Sequence, residues 1–148
     1  QVNSGQRVRV ITTDHDLYQL AANPRVSVTA AYDDIAPDYV RLYKTFVGDP
    51  NDKIPGVKGF GKKSFVHLNK ALARTMLQNG HWDNTITNEE LGLTLAQHQW
   101  INDNPDLLLL YWKLIGLWMV PMPEIAAGTK FGTDQPTTIN NILQEFML

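Results

Sequence analysis

Apolar and polar positions alternate over Arg7–Thr12 (RVRVIT) and again over Arg25–Thr29 (RVSVT), and both runs carry β-branched residues. This period of two predicts two strands. Between them lies LYQLAA, a short helix that Asp16 can cap and that Asn23-Pro24 stops. Strand, helix and strand in so short a space predict an α/β sheet. Beyond Pro37 the period lengthens. Residues 38–47 read as a helix with Val40, Tyr43 and Val47 on one face and Gly48 at its end. Residues 49–61 are rich in Gly, Pro and Asp and read as loop. Residues 62–77 read as a second helix, with Phe65, Leu68, Leu72 and Met76 as its apolar side. Thr87-Asn-Glu-Glu90 resembles a capping box and opens a predicted helix through about Asn102. Residues 104–120 read as an apolar helix or a helix followed by a strand, 121–136 as loop, and 137–148 as a helix.

A chain of 148 residues suits one domain or slightly more. At 43% hydrophobic and 19% charged it has the composition of a soluble globular protein. The longest apolar run, Leu107–Val120, is interrupted by Lys113 and Gly116, so no membrane span is expected. The first residues lack the apolar stretch of a signal peptide. Cysteine is absent, which excludes disulfides and thiolate metal sites and fits a reducing compartment. The net charge of −2 hides a segregation: residues 41–74 carry eight Lys and Arg against two Asp. Such a stretch is either a solvated surface or the local footprint of a nucleic-acid binder.

Four aspartates stand in two turns. Asp14 and Asp16 lie in T-D-H-D at the carboxyl end of the first strand, where ligands of open α/β sheets collect. Asp49 and Asp52 lie in G-D-P-N-D, just after a helix. Two carboxylate pairs in turns suit a hard cation such as Mg²⁺. A helix cap at Asp16 and Asx turns at Asp49 and Asp52 are the commoner explanation of either pair taken alone. His15 reads as a turn residue. The stretch G-V-K-G-F-G-K-K-S, residues 56–64, nearly spells a nucleotide-binding P-loop, but Lys63 stands where Ser or Thr belongs and the upstream segment is acidic loop instead of a buried strand. A turn between two helices fits better. Gly59 and Gly61 let backbone amides approach a DNA phosphate at the start of the second helix, and Lys58, Lys62 and Lys63 add charge. Contacts of this kind position a backbone and read no bases. A plain surface turn is the other reading.

Joined, G-D-P-N-D-K-I-P-G-V-K-G-F-G-K-K-S resembles the G-D-x-x-D-N-I-P-G-V-x-G-I-G-x-K-[ST] signature of the 5′ nucleases: flap endonucleases, phage 5′–3′ exonucleases and the 5′-nuclease domains of bacterial DNA polymerases. Upstream, V-I-T-T-D-H-D-L-Y-Q-L is similar to that family's V-x-I-x-S-x-D-x-D-x-x-Q-L strand and turn. The match runs from residue 8 to about 75, and the separation of the motifs also fits. N-P-D-L-L-L-L-Y-W-K-L-I matches phage members only loosely.

The resemblance implies an α/β fold in which residues 1–37 supply the C-terminal strands of a PIN-like nuclease core. Residues 38–148 would be a mainly helical DNA-binding region, with a helix–three-turn–helix at about 38–77. It implies that Asp14, Asp16, Asp49 and Asp52 are catalytic ligands of two Mg²⁺ or Mn²⁺ ions, which activate a water and stabilise the leaving oxygen. Backbone at Val57, Gly59 and Gly61 would bind a monovalent cation, often K⁺. Lys58, Gly59, Gly61, Lys62 and Lys63 would contact duplex DNA bearing a 5′ flap or end. Lys53 replaces the family's Asn, and His15 a Lys or Gly. The family's first acidic strand, basic arch and E-A-D-D-like helix have no counterpart here, so a missing N-terminal half is expected as a partner, in cis or in trans. The expected protein is then the C-terminal half of a 5′ nuclease, cytoplasmic (host cytoplasm if phage-encoded), that binds DNA alone and cuts only when complemented. The alternative is a non-catalytic, structure-selective DNA-binding module.

Overall fold

A computed structural model describes residues 5–116. The chain divides after Gly116, and the loop and helix expected over 121–148 lie outside the described residues, as does the end of the apolar segment beyond 116. Strands β1 (Val8–Val10) and β2 (Val26–Val28) form a parallel pair in the register Val8↔Val26 and Val10↔Val28. Both are shorter than the alternating runs predicted. The ladder stops where Thr29 takes over. Its hydroxyl accepts from the Thr12 amide at 2.8 Å and donates to the Thr12 carbonyl at 2.7 Å, so a side chain continues the pairing in place of backbone.

The connection between the strands is a 3-10 helix over His15–Ala22. Its cap is Asp14 and not Asp16: an Asp14 carboxylate oxygen accepts from the Asp16 amide at 2.9 Å, which places Asp16 inside the first turn. Asn23 ends it in extended backbone, as a residue before proline must. After β2 a 3-10 turn, Pro37–Tyr39, leads into α1 (Val40–Val47). The buried face of α1 is centred on Leu42 and Phe46, together with Val40, while Tyr43 and Val47 lie at its margin.

The predicted helix over 62–77 is two helices, α2 (Lys62–His67) and α3 (Lys70–Gln78). Leu68 turns extended, and the Asn69 side chain caps α3 by accepting from the Leu72 amide. The break makes room for a neighbour: a Cβ on Gly92 would lie 1.8 Å from the His67 carbonyl oxygen. Gly92, at φ 69°, also splits the helix expected over 87–102 into α4 (Asn88–Leu91) and α5 (Leu95–Asp103). The capping box at Thr87 and Glu90 forms, and a second, Thr94 with Gln97, starts α5. Helix α6 (Pro105–Ile115) packs on α1. Leu42, Phe46, Phe60, Phe65, Leu77, Leu91, Ile101 and Leu108 belong to one buried cluster that joins every helix from α1 to α6. No helix among the described residues is long and apolar enough to cross a membrane.

Candidate metal centre and nucleic-acid interface

Two turns meet beside the C-terminal half of α1. The first leaves β1: the Thr12–Thr29 clip holds it, and the Asp14 amide donates to the Thr12 hydroxyl at 3.0 Å. The second leaves α1 at Gly48, whose φ of 98° reverses the chain. Asp49 and Ile54 then pair across the turn through two backbone hydrogen bonds of 2.7 and 2.9 Å. Asp49 also accepts from the Asn51 amide at 3.1 Å, the Asx turn expected there. The two turns line one cavity of about 510 Å³, with Asp14, Asp16, Asp49 and Asp52 in its wall.

Three of the four aspartates converge. Asp16, Asp49 and Asp52 each offer an oxygen within 4.8 Å of the other two. Asp14 lines the cavity but stands outside that group and spends a carboxylate oxygen on capping. Between Asp16 and Asp49 lies the ammonium of Lys44, hydrogen-bonded to both, at 2.8 Å from Asp49. Lys44 is buried (8% exposed) and comes from α1, five residues before Asp49. Burial pushes the Asp49 carboxyl up, but the Lys44 hydrogen bond and charge, with the amides of Asn51 and Asp52, outweigh it and hold the group below the ordinary carboxylate range. Asp52 is exposed at the mouth of the cavity.

The donor set is all carboxylate, which suits a hard divalent cation. Asp16 and Asp49 already converge on one positive charge, the Lys44 ammonium. In the sequence Lys44 is only one of the cations of the 41–74 stretch, and its place between the aspartates was missed. Its spacing from Asp49 on a helix that ends at Gly48 was the available signal. Three rings share the cavity wall, His15, Tyr32 and Tyr43. Burial first, then the charges of Asp49, Tyr43 and Asp14, push the Tyr32 phenol up and keep it neutral.

The glycine turn lies between α1 and α2 and has two halves. In the first, Gly48 and Gly56 are pressed together: a Cβ on Gly56 would lie 2.6 Å from the Phe46 carbonyl oxygen, and its φ is 73°. The Val57 amide donates to that same carbonyl at 2.8 Å. In the second half Gly59, at φ 73°, and Gly61, in extended backbone, have nothing within 4 Å of a Cβ. Lys58, Lys62 and Lys63 are exposed beside them. Lys62 pairs with Asp34 at 2.5 Å, a bond that raises the lysine's pKa and lowers the aspartate's. The carbonyls of Val57, Gly59 and Gly61 each already accept one bond, from Phe60, Gln97 and Phe65 respectively, which leaves a lone pair on each. Helix α2 has six residues, so little helix dipole stands behind the turn.

Gln97 is a further residue that sequence reasoning passed over. It is buried, and its amide nitrogen donates to the Gly59 carbonyl at 2.9 Å and lies 3.1 Å from the Ser64 hydroxyl. The serine one place late for a P-loop is therefore an internal brace. The second T-x-x-Q capping box was the signal that pointed to Gln97.

Part of the chain is similar to proteins named thermostable DNA polymerase I. It is 37% identical to that of Thermus thermophilus over 78 aligned positions, which cover 45% of this chain and 9% of that protein. It is 38% identical to that of Thermus aquaticus over 72 positions, covering 40% and 8%. It is 36% identical to that of Thermus caldophilus over 78 positions, covering 45% and 9%. The alignments therefore span less than a tenth of the length of these relatives. No family model matches the chain, and no solved structure matches it.

Proposed function

We propose that this chain is the C-terminal half of a metal-dependent 5′ nuclease, of flap endonuclease or 5′–3′ exonuclease type, that grips duplex DNA and hydrolyses a phosphodiester when combined with an N-terminal half. The observation that carries this reading is the convergence of Asp16 with Asp49 and Asp52, from motifs more than thirty positions apart, on one cavity. Similarity to DNA polymerase I supports DNA as the substrate. In this reading residues 1–37 belong to a PIN-like core, and residues 38–77 form the DNA-binding hairpin.

Asp16, Asp49 and Asp52 would hold one divalent ion, with Asp14 turned toward a second. Bound there, Mg²⁺ or Mn²⁺ supplies Lewis acidity and a more acidic water. Lys44 keeps two of the carboxylates in place and balances part of their charge. Lys58, Lys62 and Lys63 take the phosphates of the duplex, and Lys62 exchanges Asp34 for phosphate. The open amides at Gly59 and Gly61 let the backbone approach, and the remaining carbonyl lone pairs at Val57, Gly59 and Gly61 face a monovalent cation such as K⁺. Cleavage of a labelled 5′-flap duplex with Mg²⁺, by the chain alone and with a candidate N-terminal half, tests the proposal. Cleavage only by the combined halves is expected, and it should vanish in Asp52→Asn. A combined complex that binds the flap and never cuts it overturns the nuclease reading.

One observation favours a second reading. Lys44 satisfies Asp16 and Asp49 within the fold, as a purely structural ion network would. A non-catalytic DNA-binding module would keep that network and need no metal. Calorimetric titration with Mn²⁺ separates the two: binding that Asp52→Asn abolishes belongs to the nuclease reading, and no binding belongs to the module.

A further inference from the structure

His15, Tyr32 and Tyr43 form one side of the acidic cavity, and nothing in the carboxylate chemistry requires them. Tyr32 is their centre: its ring lies 5.0 Å from His15 and 6.1 Å from Tyr43, in tilted contacts. Tilted packing leaves ring faces that are not paired with one another. Tyr32 is half-buried, His15 is exposed, and neither belongs to a hydrophobic core cluster among the described residues. Tyr43 is anchored edge-on against Phe65 at 5.1 Å, and Tyr32 also meets the Tyr18 ring at 6.1 Å. Core packing therefore accounts for Tyr43, while Tyr32 and His15 belong to a smaller aromatic group at the cavity wall.

A half-exposed aromatic wall beside a cluster of carboxylates is suited to a ligand with two chemistries, an anionic group bridged by cation and a flat ring. A nucleotide has both. We infer that Tyr32, flanked by His15 and Tyr43, is a stacking platform for the base of a single-stranded nucleotide whose phosphate lies at Asp16, Asp49 and Asp52. The inference rests on the reading of that carboxylate group as a phosphodiester site. Stacking of this kind tolerates any base, because every base presents a flat face. The platform gives the cavity a preference for an unpaired nucleotide over a paired one, whose base is already stacked in the duplex. The hairpin lysines cannot supply that preference.

The test uses the full chain with Ca²⁺ and a 5′-flap duplex carrying 2-aminopurine at the flap nucleotide beside the junction. Binding should quench the fluorescence, Tyr32→Phe should keep the quenching, and Tyr32→Ala should lose it. Replacing that nucleotide by an abasic one should weaken binding to the unaltered chain about tenfold, within the range one stacked base supplies, and should leave Tyr32→Ala indifferent. The abasic comparison on the unaltered chain decides the matter even where Tyr32→Ala folds poorly. Equal affinity for intact and abasic flaps, with binding still dependent on Lys62 and Lys63, overturns the platform and leaves the nuclease reading standing. Absence of salt-dependent duplex binding removes that reading, and the platform with it.

Discussion

Lys44 and Lys62 carry the same charge on neighbouring helices and do opposite things. Lys44 is buried between Asp16 and Asp49, and its charge is spent inside the fold. Lys62 is exposed and paired at the surface with Asp34, itself exposed. The difference teaches that the basic stretch over residues 41–74 is not one surface. Part of it neutralises the carboxylates of the cavity, and part of it is exposed on the glycine turn.

Breaking the buried pair should have the largest effect. Lys44→Met leaves Asp16 and Asp49 without their cation, and should destabilise the chain by about 3 kcal/mol or more. Lys62→Ala breaks an exposed, solvent-screened pair and should leave stability nearly unchanged. Urea denaturation of both variants checks this, and equal losses would erase the distinction. The same contrast divides the glycine turn. Gly56→Ala meets backbone at 2.6 Å and should cost about 2–3 kcal/mol, whereas Gly59→Ala pays only for its positive φ, about 1 kcal/mol. Thermal melting of the two variants gives the order.

Acid sharpens the comparison from another side. Asp49 titrates below its unfolded value of about 3.9. Its contribution to stability is therefore complete above about pH 4 and is lost as pH falls through the lower folded value. Acid titration of stability should show this loss in the native chain and a weaker one in Lys44→Met. The exposed side of the comparison is read in salt. Changing Lys62 and Lys63 to Ala should lower the slope of log affinity against log salt by about 2, with fold and melting temperature little changed. An unaltered slope would remove the hairpin from the DNA interface.

The parts of this molecule that were legible in its sequence are those with a local cause. Gly48 ends α1, Thr87 and Glu90 open α4, and the strand at Val8–Val10 follows from alternation. The breaks at Leu68 and Gly92 were not legible, because apolar spacing continues through both. What separates α2 from α3 is the close approach of Gly92 to the His67 carbonyl, a contact between segments remote in sequence. At the site, motif spacing brought out the four aspartates, but only folding separates Asp14, which caps, from the three that converge. Lys44 and Gln97 escaped notice for a related reason. A lysine on a helix and a glutamine in a capping box are ordinary until the residues they reach are known.

The reach of Gln97 bears on how the hairpin can be inherited or moved. Its side chain braces the Gly59 carbonyl and the Ser64 hydroxyl from α5. The Leu91 carbonyl of α4 likewise accepts from the Asn69 amide that starts α3. The hairpin is thus a keystone arrangement and not a detachable loop. A graft that carries only residues 38–78 into another protein takes the glycines and lysines and leaves behind what keeps them in shape. For the proposed DNA grip the smallest portable unit extends through Asp103, and a substitution at position 97 should alter it indirectly, through Gly59 and Ser64.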